Sequence, residues 1–127
     1  MASLEVLIVE DNNLTRTMLR DALNGLDCTI TEVHDGDEAL AHLEKNPPAV
    51  MLLDLVLPKR SGSEVLKLTK SKGLKTRVLI ITSMDSRAMA DQALDDGAHG
   101  FLSKPFHPLE VRSAVEGALA AYAKAVS

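Results

Sequence analysis

The chain switches repeatedly between two hydrophobic rhythms. Apolar residues run almost unbroken over 4–9, interrupted only by Glu5, which predicts a buried strand. The spacing then becomes helical, with Leu14, Met18, Leu19, Ala22, Leu23 and Leu26 in register. Asn12 and Asn13 are candidate N-caps for that helix, and Gly25 a terminator. Residues 28–33 alternate in polarity and are rich in β-branched side chains, which predicts a second strand. Residues 37–45 predict a helix with Ala39, Leu40 and Leu43 inward, stopped by Asn46, Pro47 and Pro48. A third strand follows at 50–53, then a helix at 62–72 presenting Val65, Leu66 and Thr69. A fourth strand at 78–81 leads to a helix at 86–96 that ends at Gly97. A short fifth strand at 100–102 precedes a last helix that starts near Pro108. That helix carries Val111, Val115, Ala118, Leu119 and Tyr122 on one stripe.

Five strands alternating with five helices imply an α/β fold with a parallel sheet covered on both faces. Strands one, three and four are almost wholly apolar, as central parallel strands are. Strand two alternates and strand five is short, so both read as edges. The order 2-1-3-4-5 satisfies these assignments and is the known flavodoxin-like, doubly wound arrangement. No repeat and no Pro/Gly/Ser-rich linker interrupts the pattern, so one domain is expected over residues 1–127.

In such a sheet, ligands bind beyond the carboxyl ends of the strands, where the strand order reverses. Glu10 and Asp11 follow strand one, and Asp54 follows strand three. Thr82 and Ser83 end strand four, and strand five runs into Lys104 and Pro105. Three carboxylates in one cleft repel one another unless a cation joins them. Hard oxygen donors in this number suit Mg²⁺, which keeps several waters. A protonated lysine cannot ligate that metal, but it can neutralise a phosphoryl oxygen, and a hydroxyl such as Thr82 can donate to another. A carboxylate nucleophile, a metal and a lysine together suit phosphoryl transfer to an aspartate.

The chain resembles the response-regulator receiver family along its whole length. The resemblance rests on Val9-Glu10-Asp11-Asn12, on Leu53-Asp54-Leu55-Val56-Leu57-Pro58 followed by Gly62, on Ile81-Thr82-Ser83, and on Phe101-Leu102-Ser103-Lys104-Pro105-Phe106. Each motif is weak alone; four in order at the right strand ends are specific. The resemblance implies that Asp54 is the phosphoacceptor. It implies Mg²⁺ held by Asp11, Asp54 and the main-chain carbonyl of Val56, with Glu10 acting through water. Lys104, Thr82 and the backbone N–H of Ser83 would bind the phosphoryl group, Thr82 and Phe101 would form the switch, and Lys104-Pro105 would be a cis peptide. The implied donor is a histidine kinase or phosphotransfer protein. The implied output is a changed surface on the fourth helix, fifth strand and fifth helix, read by a downstream protein, an effector domain or a second copy in a phosphorylation-dependent homodimer. Phe101 lacks the hydroxyl that many relatives have there, and it reads equally as an edge-strand core residue. Val56 and Met84 are apolar where many relatives are polar, which argues against rapid self-dephosphorylation.

Composition narrows the field further. A net charge of -4 gives no basic surface for nucleic acid or membrane, and aromatics at 2 % leave no base-stacking platform. The single cysteine, Cys28, excludes an internal disulfide and fits a reducing compartment. With no leader-like start and no apolar run of membrane-spanning length, a cytoplasmic location is expected. His34, His42, His99 and His107 show no metal spacing and read as surface or loop residues, and the five methionines as core filler. An aspartate-nucleophile phosphatase of the haloacid dehalogenase kind would need an acid where Val56 stands. A flavodoxin-like redox carrier would need a neutral, hydroxyl-rich loop where Glu10-Asp11-Asn12-Asn13 stands. A degenerate receiver would have lost some of the acids, Thr82 or Lys104. The expectation is therefore a regulatory phosphoacceptor, not an enzyme acting on a separate substrate.

Overall fold

The structure, a computed structural model, describes residues 4–83 and 86–127. Strands β1 (Leu4–Val9), β2 (Cys28–Val33), β3 (Val50–Asp54), β4 (Arg77–Ser83) and β5 (Gly100–Lys104) alternate with helices α1 (Asn13–Ala22), α2 (Gly36–Lys45), α3 (Gly62–Ser71), α4 (Arg87–Asp95) and α5 (Pro108–Val126). All strand pairs are parallel, and the sheet order is β2-β1-β3-β4-β5, as the hydrophobic pattern predicts. The fifth strand is longer than expected. It stays paired with β4 as far as Ser83 and Lys104, so it is as long as β3.

The helices start where the sequence offers caps. The Asn12 side chain accepts the Thr15 N–H, Asp35 that of Glu38, and Ser61 that of Glu64. His107 and Glu110 form a reciprocal capping box ahead of α5. His107 is thus a structural cap rather than a passive loop residue.

Because side chains alternate along a strand, each central strand feeds two separate apolar layers. Val6, Ile8, Leu52 and Ile81 pack with Leu19, Val111 and Val115 under α1 and α5. Leu7, Val9, Met51, Leu53 and Ile80 pack with Ala39, Leu43, Val65 and Leu66 under α2 and α3. Leu14 and Met18 do not join either layer and stand exposed. They lie on a face of α1 that no layer covers, and the buried residues of that helix are Leu19 and Ala22. Met51 is core, whereas Met18 and Met89 are exposed, so the methionines are not uniformly filler. Met84 lies outside the described residues.

Two histidines do more than their expected place at the surface or in a loop suggests; His99 is exposed and lies just before β5, and His42 is half-buried. His42 Nε2 lies 3.0 Å from both carboxylate oxygens of Glu5, tying α2 to β1. His99 extends the β4–β5 ladder by one rung. Its backbone N–H donates to the Val78 carbonyl at 2.8 Å, and its ring Nδ1 accepts the Val78 N–H at 3.0 Å. Burial, then the nearby charges of Lys70 and Arg77, lower the His99 pKa from 6.5 to about 4. The unfolded chain therefore binds a proton between these values that the folded chain refuses, and stability falls as pH drops from about 6.5 toward 4. We expect His99→Asn, whose amide oxygen can also accept the Val78 N–H, to flatten that part of the profile. Urea unfolding from pH 7 to pH 4 tests this, and parallel profiles for the two proteins would contradict it.

Candidate functional site

The carboxyl ends of β1, β3, β4 and β5 open into one cavity of about 430 Å³. Glu10, Asp11, Asp54, Val56, Thr82, Ser83 and Lys104, all singled out from the sequence, line it. Phe101 does not. It is half-buried three residues before Lys104 on β5, opposite Ile80 of β4, against the layer under α2 and α3, with the Arg87 guanidinium 4.7 Å above its ring.

Each acid is held differently. Glu10 is 1 % exposed, with Oε1 accepting from Lys104 Nζ at 2.9 Å and Oε2 from the Asn12 N–H at 3.1 Å. Its backbone is fixed too, because its N–H donates to the Val33 carbonyl and its carbonyl accepts from Arg16 Nη1 at 2.7 Å. Asp11 is exposed. A hydrogen bond shared with the Glu10 carboxylate raises its pKa above the usual carboxylate value, and burial and the Glu10 charge act the same way. Asp54 is 8 % exposed; its Oδ1 accepts the Val56 N–H at 2.9 Å, and its Oδ2 lies 3.5 Å from Lys104 Nζ.

Lys104 connects these groups. Burial works against its charge, but the Glu10 hydrogen bond and the Asp54 charge outweigh it and hold the ammonium above the ordinary lysine value. The Lys104-Pro105 peptide is cis. On the opposite wall, Thr82 Oγ1 shares its proton between the Ser83 carbonyl at 3.1 Å and the Ser86 carbonyl at 3.3 Å. The Thr82 hydroxyl is thus bonded toward the start of α4. Ser83 is exposed, and the Val56 side chain stands 65 % exposed at the cavity mouth.

Carboxylate oxygens of Glu10, Asp11 and Asp54 come within 4.8 Å of one another. Oxygen donors this close, only partly neutralised by one lysine, fit a small hard divalent cation such as Mg²⁺. His34, Asp35 and Glu38 also bring ligand atoms within 4.8 Å, which the sequence spacing did not reveal. There Asp35 caps α2 and Glu38 takes the His34 N–H, so the group is accounted for as a helix start. Sequence reasoning missed two residues beside the cavity. Arg16 sits in the middle of α1 and Arg87 at the first turn of α4, and no motif marks either as a partner of Glu10 or Phe101.

The chain matches the response regulator receiver domain over residues 6–116 and belongs to that family. It is therefore a regulatory phosphoacceptor domain of two-component signal transduction rather than an enzyme. It is 35 % identical over 104 residues to response regulator MprA of Mycobacterium ulcerans, covering 82 % of this chain and 45 % of that protein. It is 33 % identical over 116 residues to transcriptional regulatory protein CiaR of Streptococcus pneumoniae, covering 91 % and 51 %. The crystal structure of the receiver domain of NtrX from Brucella abortus superposes with a TM-score of 0.85 at 26 % identity, covering 91 % of this chain and 98 % of that one. The chain spans about half the length of the curated relatives it matches. Among the described residues, no helix is long and apolar enough to cross a membrane.

The turn after β3 depends on one glycine. Its N–H donates to the Leu55 carbonyl at 3.0 Å, and a Cβ at Gly62 would lie 2.2 Å from the Asp54 carbonyl oxygen and 2.6 Å from Leu55 Cα. Backbone cannot move aside as a side-chain end can. We expect Gly62→Ala to cost about 1–3 kcal/mol, the usual range for overpacking, and to shift the amide signals of residues 54–56. Urea midpoints and ¹H–¹⁵N spectra test this; a wild-type midpoint with unmoved signals would refute it.

Proposed function

We propose that Asp54 accepts a phosphoryl group from a histidine kinase or phosphotransfer protein, and that the domain spans residues 1–127. The observation that carries this reading is the placement of Asp54 Oδ2 3.5 Å from Lys104, in the same cavity as Glu10 and Asp11. A carboxylate oxygen of Asp54 forms the new bond to phosphorus, and the donor imidazole leaves with the electrons of the broken N–P bond. Lys104 pairs with one phosphoryl oxygen, and the Thr82 hydroxyl and Ser83 N–H donate to others. Asp11, Asp54 and the Val56 carbonyl would hold Mg²⁺ directly. Glu10 would act through water, a division supported by the prior engagement of both its oxygens. The metal would supply neutralisation of the crowded negative charge. The apolar Val56 at the cavity mouth has no group to orient an attacking water, which supports a slowly decaying phosphoryl group. A kinase-fed switch of this kind belongs in the cytoplasm.

The same reading extends to output. To reach the phosphoryl group, Thr82 gives up its bonds to Ser83 and Ser86, which frees the start of α4. Phe101 then moves toward the vacated space and out from under Arg87, changing the face made by α4, β5 and α5. A downstream protein, an attached effector domain or a second copy would read that face. Similarity to relatives such as the transcriptional regulatory protein CiaR supports transcriptional control as the output of a longer protein.

Acetyl phosphate with Mg²⁺ should add one phosphoryl group by intact mass, and Asp54→Asn, Asp11→Ala or removal of Mg²⁺ should abolish it. Labelling that survives Asp54→Asn would sink the assignment. For the switch, beryllofluoride should move amide signals on α4 and β5, and Thr82→Ala should shrink those shifts. Arg87→Ala removes a cation–π contact worth about 0.5–1 kcal/mol, so it should raise the active fraction about two- to five-fold before any phosphorylation. Shifts confined to the metal site, or an unchanged fraction in Arg87→Ala, would count against the coupling.

A further inference from the structure

At the other end of the sheet, where β4 and β5 begin, two donor groups meet without an acceptor, and the charge of Arg77 lies close enough to act on both. His99 Nδ1 is already used by the Val78 N–H, so in the neutral ring Nε2 carries the proton. That N–H faces Lys70 Nζ at 3.4 Å, and an ammonium has only donors to offer. Arg77 Nε is buried with no hydrogen-bond partner. Among the described residues, no carboxylate lies within ion-pairing distance of Lys70 or Arg77. The crowding also leaves its mark on Lys70, whose pKa is lowered by burial first and by the Arg77 charge second.

The cluster is built, not accidental contact between loose side chains. The Lys70 stem lies across Gly97, at φ +110, so closely that a Cβ there would sit 2.9 Å from Lys70 Cε. His99 is locked to β4 through both its backbone and its ring. Arg77 and His99 open onto a groove of about 340 Å³, floored by Leu79, Gly100 and Phe101 and walled by Ala114, Gly117 and Ala118 of α5. Small residues let another backbone approach closely, and β5 is the last strand of the sheet, paired on one side only. The groove thus offers an extended chain a place to lie, with a cationic, acceptor-starved corner at one end.

We infer that this corner recognises a carboxylate carried by an extended acidic segment of a partner protein. An oxygen placed between His99 Nε2 and Lys70 Nζ satisfies both donors, and the second oxygen faces the Arg77 guanidinium. The segment's small or β-branched neighbours fill the groove against α5. The site lies at the amino ends of the strands, opposite the acid cluster; its groove borders the β5 and α5 part of the output face proposed above, while the carboxylate itself is held by residues outside that face.

The test uses a blocked pentapeptide of alternating valine and glutamate, its glutamine counterpart, and inorganic phosphate, each titrated into the full chain carrying Asp54→Asn. The glutamate peptide should shift amide signals of residues 77, 78, 99–101 and 114–121 and raise the midpoint of the His99 ring titration. Arg77→Gln and Lys70→Gln, checked for wild-type unfolding midpoints, should each weaken binding at least tenfold. Equal binding of the glutamine peptide would overturn the carboxylate. Phosphate binding as tightly as the peptide would make this a free-anion site, and a doubled sedimenting mass with the same shifts would make it a self-association face; either overturns the proposal. An absence of shifts at this corner overturns it as well.

Discussion

Lys104 holds together groups that would otherwise push the rim apart. Its ammonium touches Glu10 at 2.9 Å and Asp54 at 3.5 Å, joining the ends of β5, β1 and β3. Glu10 is buried, and a buried charge left without a partner costs several kcal/mol. Yet one ammonium cannot satisfy three acids, and the raised pKa of Asp11 shows the remaining crowding. The site is stable enough to form and still short of positive charge. That shortage is the basis for binding a metal and for a lysine that can turn from carboxylate to phosphoryl oxygen.

The convergence itself follows from strand direction. In a parallel sheet every strand delivers its carboxyl end to the same edge, so residues as far apart as Glu10 and Lys104 become neighbours without any special loop. This is why so much of the site was legible in the sequence. The strand ends could be found from the apolar runs, and the chemistry-bearing residues stand immediately after them. Side-chain direction was not legible. Nothing in the pattern says that the Thr82 hydroxyl turns to the Ser83 and Ser86 carbonyls, or that Arg87 covers Phe101. These depend on rotamers and on how α4 packs. Leu14 and Met18 mark the α1 helix correctly, but helical periodicity does not say whether the face they share is covered, and here it is not.

The amino ends of the strands were nearly silent in the sequence. His99 looks like a loop histidine because its role lies in a ring nitrogen standing in for a carbonyl on the β4–β5 ladder. Its neighbours Lys70 and Arg77 come from different elements and share no motif. Strand direction gathers residues at this edge as surely as at the other, and where β4 and β5 begin they bring donors in place of acceptors.

The sheet is also a partition. Leu52 and Leu53 are adjacent in the chain and both fully buried, but they belong to layers on opposite faces and share no core neighbours. Substitutions in contact with one another couple, whereas those without shared partners add. Sequence drift beneath α1 and α5 is thereby insulated from drift beneath α2 and α3. Each half of the interior can be rewritten on its own evolutionary schedule while the strand ends, and the chemistry they carry, stay where they are.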